Sequence, residues 1–515
     1  MNTHSVNRGS RLRLASSAAL VFAAALVLLA AVVGTETPLL PSAAAAGQPN
    51  ILFIIADDLD LGEIAQMPIL RSRMAAKGIS FASAFVSVSI CCPSRATILR
   101  GQYAHNTGVK TNAGTNGGFS TAYALGVEAS TIATWLNDAG YATALMGKYL
   151  NGYPHGATRT YVPPGWDEWY SAVAGSPYSQ YDYTLNENGT LVSYGHEPND
   201  YGTSVYTRKA QDFLTRAALA GRPFFVFLSV YSPHDPFTPA PPDVDLFPGA
   251  QAPRTPNYNE ADVSDKPLWL QAKPLMGPAT QAATDTIYRL RIQSLQSLDR
   301  AIGQLISTLA ANGQAENTYI VFTSDNGFHL GQHRLPRGKQ TAFEEDVHVP
   351  LIVRGPGVPF GRTRRHIVGN IDLAPTFAEL AGASAPAFVD GRSLAPLLGT
   401  DPPAVSTWRH AYLLEYWLQT GLTTPSAAPE EPPDGDQIAP ATASGVMPEF
   451  HGMRTARYTY VEYTTGEKEL YDHSVDPYEL TNIASTARAG LLRRLHAQVA
   501  ALQSCAGAEC RIADR

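Results

Sequence analysis

Cysteine is scarce in this sequence, which contains only four among 515 residues. So few cysteines in so long a chain exclude a fold held together by a disulfide framework. Cys505 and Cys510 lie close together near the C-terminus, and an oxidising compartment would allow a short disulfide between them. Cys91 and Cys92 are adjacent and poorly placed to bridge each other, so they need a separate explanation.

An excess of charge of one sign is also lacking. Charged residues make up 16% of the chain and the formal net charge is −7, so the sequence has no electrostatic footprint for nucleic acid or anionic lipid. An anionic substrate would need a local cationic pocket. The hydrophobic content of 44% is that of an ordinary globular protein, and 515 residues suffice for one large domain and a smaller companion.

One apolar segment, at residues 14–33, approaches the length of a membrane span. Three arginines precede it, and small residues that end in four alanines follow it, an order typical of a secretory signal peptide. An uncleaved membrane anchor is the alternative. No twin-arginine pair is present, which favours export of the unfolded chain. We therefore expect a signal peptide over residues 1–46, a secreted or cell-envelope location, and no membrane attachment after cleavage.

Continuous apolar runs rich in β-branched and aromatic residues recur along the chain, at residues 50–56, 223–230, 319–323 and 349–353. Such runs are typical of strands buried on both faces, as in a parallel sheet covered by helices. Helical patterns lie between them, at 210–220 and 287–311. Alternating strands and helices predict a layered α/β fold.

A stretch rich in proline, alanine and acidic residues, at 423–445, predicts a loop or linker. Beyond it, the pattern predicts short strands and a closing helix, at 453–463, 469–472 and 486–502. We therefore expect the chain to consist of three parts. These are a signal peptide at 1–46, a large catalytic domain at 47–405, and a smaller α+β subdomain that includes the loop, at 406–515.

Polar side chains follow three of the predicted strands. Asp57 and Asp58 come directly after the first, His234 follows the second, and Asp325 and Asn326 follow the third. In open α/β sheets, ligands bind at the carboxyl ends of strands. The three strand ends are therefore expected to build one site.

The most specific motif runs from Cys91 to Gly101 and reads CCPSRATILRG. Taken alone, two thiols beside a proline could be structural. The stretch nevertheless resembles the signature of type I sulfatases, in which the first cysteine of C-x-P-S-R is oxidised to formylglycine. The resemblance implies that a formylglycine-generating enzyme converts Cys91 during maturation. It also implies an α/β, alkaline-phosphatase-like sulfatase fold, with a large, mixed, mostly parallel sheet between helices and a smaller C-terminal α+β subdomain.

Covalent catalysis at position 91 follows from this resemblance. The hydrated aldehyde is a geminal diol, and one hydroxyl attacks the sulfur of a sulfate ester while the alcohol leaves from the opposite side. The second hydroxyl then collapses back to the aldehyde and expels sulfate, which avoids the hydrolysis of a stable sulfated serine. Arg95, one helical turn further on, would orient the diol.

A metal site is implied as well. Asp57, Asp58, Asp325 and Asn326 match the family's metal ligands, and the converted Cys91 is a further ligand. Hard oxygen donors suit Ca²⁺, with Mg²⁺ as the second choice. From the residues alone, the first pair could cap a helix and the second could form a turn. Because both pairs fall at the family's positions, the cation is favoured.

Sulfate binding is assigned by the same resemblance to Lys148, Lys339 and His234. Without it, each lysine would be interpreted as a solvated surface charge and the histidine as part of a turn. Within it, they supply the cationic clamp that an acidic chain otherwise lacks.

One position departs from the family pattern. Many arylsulfatases have a second histidine two residues after the first lysine, where this chain has Leu150. The proton for the leaving alcohol would then come from His234 or from another group. His329 and His333 are candidates, because they closely follow the metal pair.

The resemblance extends from about residue 48 to about residue 484. The segments GKYLNGY and PPGWDEW are similar to N-acetylglucosamine-6-sulfatases and extracellular endosulfatases, a branch whose bacterial members are often called arylsulfatases. The predicted substrate is a sulfate monoester of a sugar or an aryl alcohol. One alternative is a phosphonate or phosphate ester hydrolase of the alkaline phosphatase superfamily. The other is a non-catalytic protein that binds sulfated glycans, which the retention of Cys91, Arg95 and all four metal positions disfavours.

Overall fold

The computed structural model describes residues 47–421 and 445–515. The predicted signal peptide lies outside these residues, as does the predicted loop at 423–445 apart from Gly445. Among the helices of the described residues, none combines the length and the apolar character that crossing a membrane requires.

The described residues form sixteen β-strands: β1 Asn50–Ala56, β2 Ile79–Phe81, β3 Ala84–Phe85, β4 Ala142–Gly147, β5 Glu168–Gly175, β6 Tyr183–Glu187, β7 Thr190–Tyr194, β8 Phe224–Ser229, β9 Thr318–Ser324, β10 Leu351–Arg354, β11 Arg362–Arg364, β12 Val368–Gly369, β13 Ala411–Tyr416, β14 Phe450–Thr455, β15 Tyr458–Tyr463 and β16 Lys468–Asp472. The same residues form twelve α-helices: α1 Cys91–Arg100, α2 Ala104–Thr107, α3 Gly118–Ala124, α4 Ile132–Asp138, α5 Gly202–Leu219, α6 Leu268–Gln271, α7 Pro278–Ala311, α8 Glu344–Val347, α9 Leu373–Leu380, α10 Ala395–Leu398, α11 Ala489–Leu502 and α12 Cys510–Ala513.

Ten strands form one mixed sheet in the order β11-β2-β10-β9-β1-β8-β4-β5-β6-β7. The five central strands, from β9 to β5 in this order, run parallel to one another. Antiparallel strands flank them on both sides. The predicted large, mixed, mostly parallel sheet is therefore confirmed.

The fourth apolar run departs from the parallel arrangement expected for it. It forms β10, which pairs antiparallel with β9. The chain leaves β9 at its carboxyl end, passes through residues 325–350 and re-enters the sheet in the opposite direction. An apolar run indicates burial on both faces but not strand direction, which depends on the connection.

Successive side chains of β1 point into two separate cores, one on each face of the sheet. Ile51 and Phe53 pack with residues of α1, α4 and α9. Leu52 and Ile54 pack with residues of α5 and α7 on the other face. All four side chains are fully buried. Because both faces are covered, the strand reads as continuously apolar instead of alternating.

The two long helices begin earlier than their apolar patterns predict. The α5 helix begins at Gly202, where the Oε1 atom of Gln180 accepts a hydrogen bond of 2.9 Å from the N–H of Thr203. This cap comes from a distant residue, so no local signal marks the start. The α7 helix begins at Pro278. Proline is tolerated in the first turn because an N–H group there has no partner within the helix.

The C-terminal part contains a separate four-stranded antiparallel sheet in the order β13-β14-β15-β16. The predicted strand at 453–463 is in fact a hairpin of β14 and β15, paired antiparallel. The predicted closing helix corresponds to α11, which shares a core with this sheet. Cys505 and Cys510 form a disulfide, as the sequence allows. The smaller α+β region is thereby confirmed.

A buried ion network connects distant parts of the chain. Arg409 is fully buried and donates to both carboxylate oxygens of Asp372, at 2.5 and 2.7 Å, and to Asp514 at 2.8 Å. Removing one partner of a buried ion pair leaves an uncompensated charge, which costs about 3–5 kcal/mol. We therefore expect Arg409→Met to lower the free energy of unfolding by that amount and the thermal midpoint by several degrees, measured by differential scanning calorimetry.

The matched control is Arg457→Met, which removes an arginine that is 58% exposed and paired with Asp472. Exposed pairs contribute about 0–1 kcal/mol. If both variants unfold at the same temperature, the Arg409 network does not contribute as proposed.

Candidate metal and nucleophile site

Four adjacent strands deliver polar side chains to one edge of the large sheet. The strands β9, β1, β8 and β4 lie side by side and parallel, so their carboxyl ends meet. Asp325 and Asn326 follow β9, Asp57 and Asp58 follow β1, and Lys148 follows β4. All five residues are buried. The structure thus brings together the strand ends that the sequence singled out and adds β4 to them.

The α1 helix begins at Cys91, next to these strand ends. The free N–H groups and the dipole of a helix N-terminus favour negative charge at this position. The N–H of Cys92 donates to Oδ1 of Asn112 at 2.8 Å, and the hydroxyl of Ser94 donates to the main-chain oxygen of Asp325. These bonds hold the start of α1 against the sheet.

The sulfur of Cys91 is buried among charged groups. It accepts a hydrogen bond of 3.0 Å from Nζ of Lys339 and lies 3.5 Å from Oδ1 of Asp57 and 3.7 Å from Oδ1 of Asp58. His234 completes this group, with its Nε2 atom 3.5 Å from Oδ2 of Asp58. One ligand atom each of Asp57, Asp58, Cys91 and His234 lies within 4.8 Å of the others.

Each carboxylate of the site contacts a cationic side chain. Nζ of Lys148 donates to Asp57 at 2.7 and 2.8 Å, and Nζ of Lys339 donates to Asp58 at 2.8 and 3.0 Å. Nε of Arg95 donates to Asp325 at 2.8 Å. Three buried negative charges therefore face three positive ones. Removing either set alone would leave buried charges uncompensated and would destabilise the folded protein.

The charges of Asp57 and Lys148 are stabilised by each other. Burial raises the pKa of Asp57, but the attraction of Lys148, His234 and Arg95 outweighs this, so the pKa lies below its ordinary value. Burial would lower the pKa of Lys148, but Asp57 and the thiol of Cys91 raise it well above its ordinary value. Asp57 is therefore a carboxylate and Lys148 an ammonium at neutral pH.

The donor set at this edge fits a divalent cation. Nδ2 of Asn326 donates to Oδ1 of Asp58 at 2.7 Å, whereas Oδ1 of Asn326 is buried without a hydrogen-bond partner. A buried acceptor in this state needs a partner, and a cation supplies one. Together with Asp57, Asp58 and Asp325, this amide presents hard oxygen donors of the kind that calcium and magnesium prefer.

Leu150 lines a small cavity of about 20 Å³ beside Lys148. Tyr178 lines the same cavity. Its ring centroid is 4.9 Å from Nζ of Lys148 and 4.7 Å from the ring centroid of His234. Since the side chain at position 150 is apolar, it offers no proton to a leaving alcohol. Of the predicted histidines, His234 is the one grouped with Cys91.

His329 and His333 are both engaged by other carboxylates. Nδ1 of His329 lies 3.0 Å from Oδ1 of Asp346, and Nδ1 of His333 lies 2.7 Å from Oε2 of Glu260. Burial lowers the pKa of His333 to about 3, so this imidazole is neutral. The prediction that His333 protonates the leaving alcohol finds no support in this environment, because the imidazolium form that would donate the proton is not populated at neutral pH.

The sequence analysis missed two residues of the site, Ser229 and Arg291. Ser229, at the end of β8, accepts a hydrogen bond of 2.6 Å from Nη1 of Arg95. Arg291, in the middle of α7, donates at 2.5 Å to the main-chain oxygen of Asp58, whose φ of 65° is rare outside glycine. Arg291 thereby holds Asp58 in a strained conformation. Only an apolar run ending in a polar residue could have pointed to Ser229, and nothing comparable marks Arg291.

Comparisons with known proteins agree with this architecture. The Sulfatase family model matches residues 49–383. The chain is 35% identical over 479 residues to the N-acetylglucosamine-6-sulfatase of Capra hircus, covering 90% of this chain and 85% of that protein. It is 32% identical over 512 residues to an arylsulfatase of Volvox carteri, covering 92% of this chain and 77% of that protein.

Two solved structures show the same fold. The structure of BT4656 with its substrate D-glucosamine-2-N,6-O-disulfate has a TM-score of 0.73 at 24% identity and covers 88% of this chain and 97% of its own. The phosphonate monoester hydrolase of Silicibacter pomeroyi has a TM-score of 0.67 at 26% identity, covering 88% and 94%.

The fold and these relatives define a hydrolase with a group of potential metal ligands around Cys91 at the carboxyl edge of a mixed sheet. The chain belongs to the sulfatase family. It is a sulfuric ester hydrolase, with N-acetylglucosamine-6-sulfatase and arylsulfatase relatives along most of its length.

Proposed function

We propose that this chain is an exported, calcium-dependent sulfatase that hydrolyses sulfate monoesters of sugars through a formylglycine made from Cys91. The observation that carries this proposal is the environment of the Cys91 sulfur, 3.0 Å from Nζ of Lys339 and 3.5 Å from Asp57. Structural thiols behave as small apolar groups, whereas a nucleophile needs charged neighbours that activate it. The sulfur marks the position of an oxygen of the converted residue.

In the first half of the reaction, one hydroxyl of the hydrated residue 91 attacks the substrate sulfur, and the bond between that sulfur and the alcohol oxygen breaks. Lys339 contacts position 91 and favours the ionised hydroxyl through its positive charge. The dipole at the N-terminus of α1 also favours the ionised hydroxyl. His234 is the proposed donor of the proton that the leaving alcohol takes up.

In the second half, the remaining hydroxyl loses its proton, the aldehyde re-forms, and sulfate leaves with the attacking oxygen. Water then rehydrates the aldehyde. Lys148 and Lys339 supply two positive charges for the sulfate oxygens. Arg95 holds α1 in place through its bonds to Asp325, at 2.8 Å, and to Ser229, at 2.6 Å.

Calcium is the proposed cation, and magnesium is the second choice. Asp57, Asp58, Asp325 and Asn326 would hold it, together with residue 91. Oxygen ligands on several loops, with no imposed octahedral geometry, suit calcium better than magnesium. When bound, the cation supplies Lewis-acid stabilisation of the negative charge on oxygen.

A sulfated sugar is the proposed substrate class, and an aryl sulfate is the second candidate. The support for a sugar is the 35% identity to an N-acetylglucosamine-6-sulfatase over 90% of this chain. The signal-like sequence before residue 47 supports a secreted or cell-envelope location. A formylglycine-generating enzyme is the proposed partner during maturation, since the conversion is an oxidation that this chain's own residues do not perform.

The test is peptide mass spectrometry of the protein secreted by its native host. We expect the peptide that contains residue 91 to have exchanged the sulfur of Cys91 for oxygen with the loss of two hydrogens, while Cys92 remains a thiol. The same preparation should release sulfate from N-acetylglucosamine-6-sulfate.

A matched pair of aryl esters separates the alternatives. If a phenyl phosphonate monoester is hydrolysed faster than the corresponding phenyl sulfate, the phosphonate hydrolase function is the correct one. If residue 91 is still a thiol in the native protein and sulfated glycans bind without turnover, the chain is a binding protein and the proposed mechanism is wrong.

A further inference from the structure

A second group of metal-ligating side chains lies outside the site at Cys91. It consists of His333, Glu345 and Glu479, one ligand atom of each lying within 4.8 Å of the others. His333 belongs to the segment between Asn326 and Lys339, Glu345 to α8, and Glu479 to the C-terminal region. None of the three is used by the mechanism proposed above.

His333 presents a neutral imidazole with one nitrogen already oriented. Its Nδ1 atom is 2.7 Å from Oε2 of Glu260, and the side chain is fully buried. A carboxylate on one imidazole nitrogen is the usual arrangement of a histidine that binds metal through the other. The other nitrogen, Nε2, lies 3.2 Å from Nδ2 of Asn257.

Each of the two carboxylates has one anchored oxygen and one without a hydrogen bond. Oε1 of Glu345 accepts from Asn257 at 2.9 Å, and Oε2 of Glu479 accepts from the N–H of Glu344 at 3.0 Å. Oε2 of Glu345 and Oε1 of Glu479 are buried without a hydrogen-bond partner. Glu479 is only 1% exposed, so bulk solvent does not reach its carboxylate.

The positive groups near these carboxylates are committed elsewhere. Nζ of Lys266 donates to the main-chain oxygens of Glu479 and Leu480, at 2.7 and 2.8 Å. Nε2 of His473 lies 3.5 Å from Oε1 of Glu479 but only 2.7 Å from the hydroxyl of Thr459. These cations therefore leave Oε2 of Glu345 and Oε1 of Glu479 without a hydrogen-bonded positive partner.

An adjacent group, formed by Glu344, His473 and Glu479, is less suitable. The carboxylate of Glu344 is taken by Arg454, at 2.5 Å, and by His348, at 3.0 Å. Its pKa lies below its ordinary value because these cationic neighbours outweigh the effect of burial. This carboxylate therefore has no need of a metal.

We propose that His333, Glu345 and Glu479 form a structural zinc site. One imidazole nitrogen and two carboxylate oxygens are ligands that zinc accepts, whereas calcium prefers oxygen alone. Bonds of about 2.1 Å place tetrahedral ligands roughly 3.4 Å apart, so binding requires side-chain movements of about 1 Å. The zinc ion joins the segment that carries Lys339 to the C-terminal region and thereby fixes the approach of Lys339 to position 91.

The experiment measures zinc retention by the full chain carrying Cys91→Ala, so that zinc at the Cys91 thiol is not counted. The protein is stripped with a chelator, saturated with Ca²⁺, incubated with ZnCl₂ and passed through a desalting column. We expect one zinc ion per chain by elemental mass spectrometry and a raised thermal midpoint. Adding Glu479→Gln or His333→Gln should weaken zinc binding at least about tenfold and abolish the thermal shift.

The control is Glu462→Gln. The Oε2 atom of Glu462 lies 2.9 Å from Nδ1 of the exposed His496, and Glu462 does not belong to the group of proposed ligands. It should retain zinc as the parent does. Glu479→Gln keeps the acceptor for the Glu344 N–H, and circular dichroism establishes that each variant is folded. Absence of stoichiometric zinc from the parent, or equal retention by the folded Glu479→Gln and His333→Gln variants, overturns the proposal. Neither outcome affects the sulfatase function, which the Cys91 peptide tests separately.

Discussion

Replacing Cys91 by alanine should lower kcat on a sulfate ester by a factor on the order of 10⁴ or more, with little change in folding. Removing the nucleophile of a covalent mechanism eliminates the chemical step itself, and comparable removals in other hydrolases have effects of this size or larger. Steady-state sulfate release from the secreted variant, with circular dichroism of the same sample, measures both. The side chain is small and fully buried, so alanine leaves the start of α1 intact.

Cys91→Ser distinguishes the diol mechanism from simple nucleophilic attack. Serine offers one hydroxyl without the second one that expels sulfate, so the variant should stop as a sulfated serine that is detectable by mass spectrometry. Cys92→Ala is the matched control, because Cys92 is an equally buried cysteine, next to Cys91 in the chain, whose main-chain N–H donates to Oδ1 of Asn112. Full activity of Cys91→Ala would show that position 91 is not the nucleophile.

Removing the cation should reduce activity at least about a hundredfold, and Ca²⁺ should restore it at lower concentration than Mg²⁺. Without a divalent ion, Lys148 and Lys339 remain on Asp57 and Asp58, at 2.7 to 3.0 Å, and the charge on the sulfate oxygens is less well stabilised. Dialysis against a chelator followed by metal titration provides the measurement.

A binding measurement makes the metal prediction independent of turnover. Asp325→Asn should lower the affinity for calcium at least tenfold in isothermal titration calorimetry, because it removes one negative charge from the donor set. Glu168→Gln provides a control carboxylate, located at the start of β5, at the end of the sheet opposite the site, and paired with Arg216. If Asp325→Asn and Glu168→Gln bind calcium equally well, the ion does not lie where we propose.

The strand ends at Asp57 and Asp325 were predictable because each follows a long apolar run. Lys148 was not predictable in this way, since β4 contains alanine, threonine and glycine and does not form a run of large apolar residues. It was singled out through the resemblance. Neither the apolar pattern nor the resemblance identified Arg291. It lies inside a helix and contacts Asp58 and Glu63, which are 233 and 228 residues away in the chain. Contacts of this kind leave no local pattern.

The sequence by itself determined the buried strands and the motif at Cys91, whose resemblance points to a sulfatase, and it allowed the disulfide between Cys505 and Cys510. Hydrophobic patterns and short motifs are local, so they can be read along the chain. Only the tertiary structure decided which charges face each other: Lys148 with Asp57, Lys339 with Asp58, and the separate group around His333. These pairings depend on the strand order β9-β1-β8-β4 and on the loops between the strands, which bring together residues far apart in the chain.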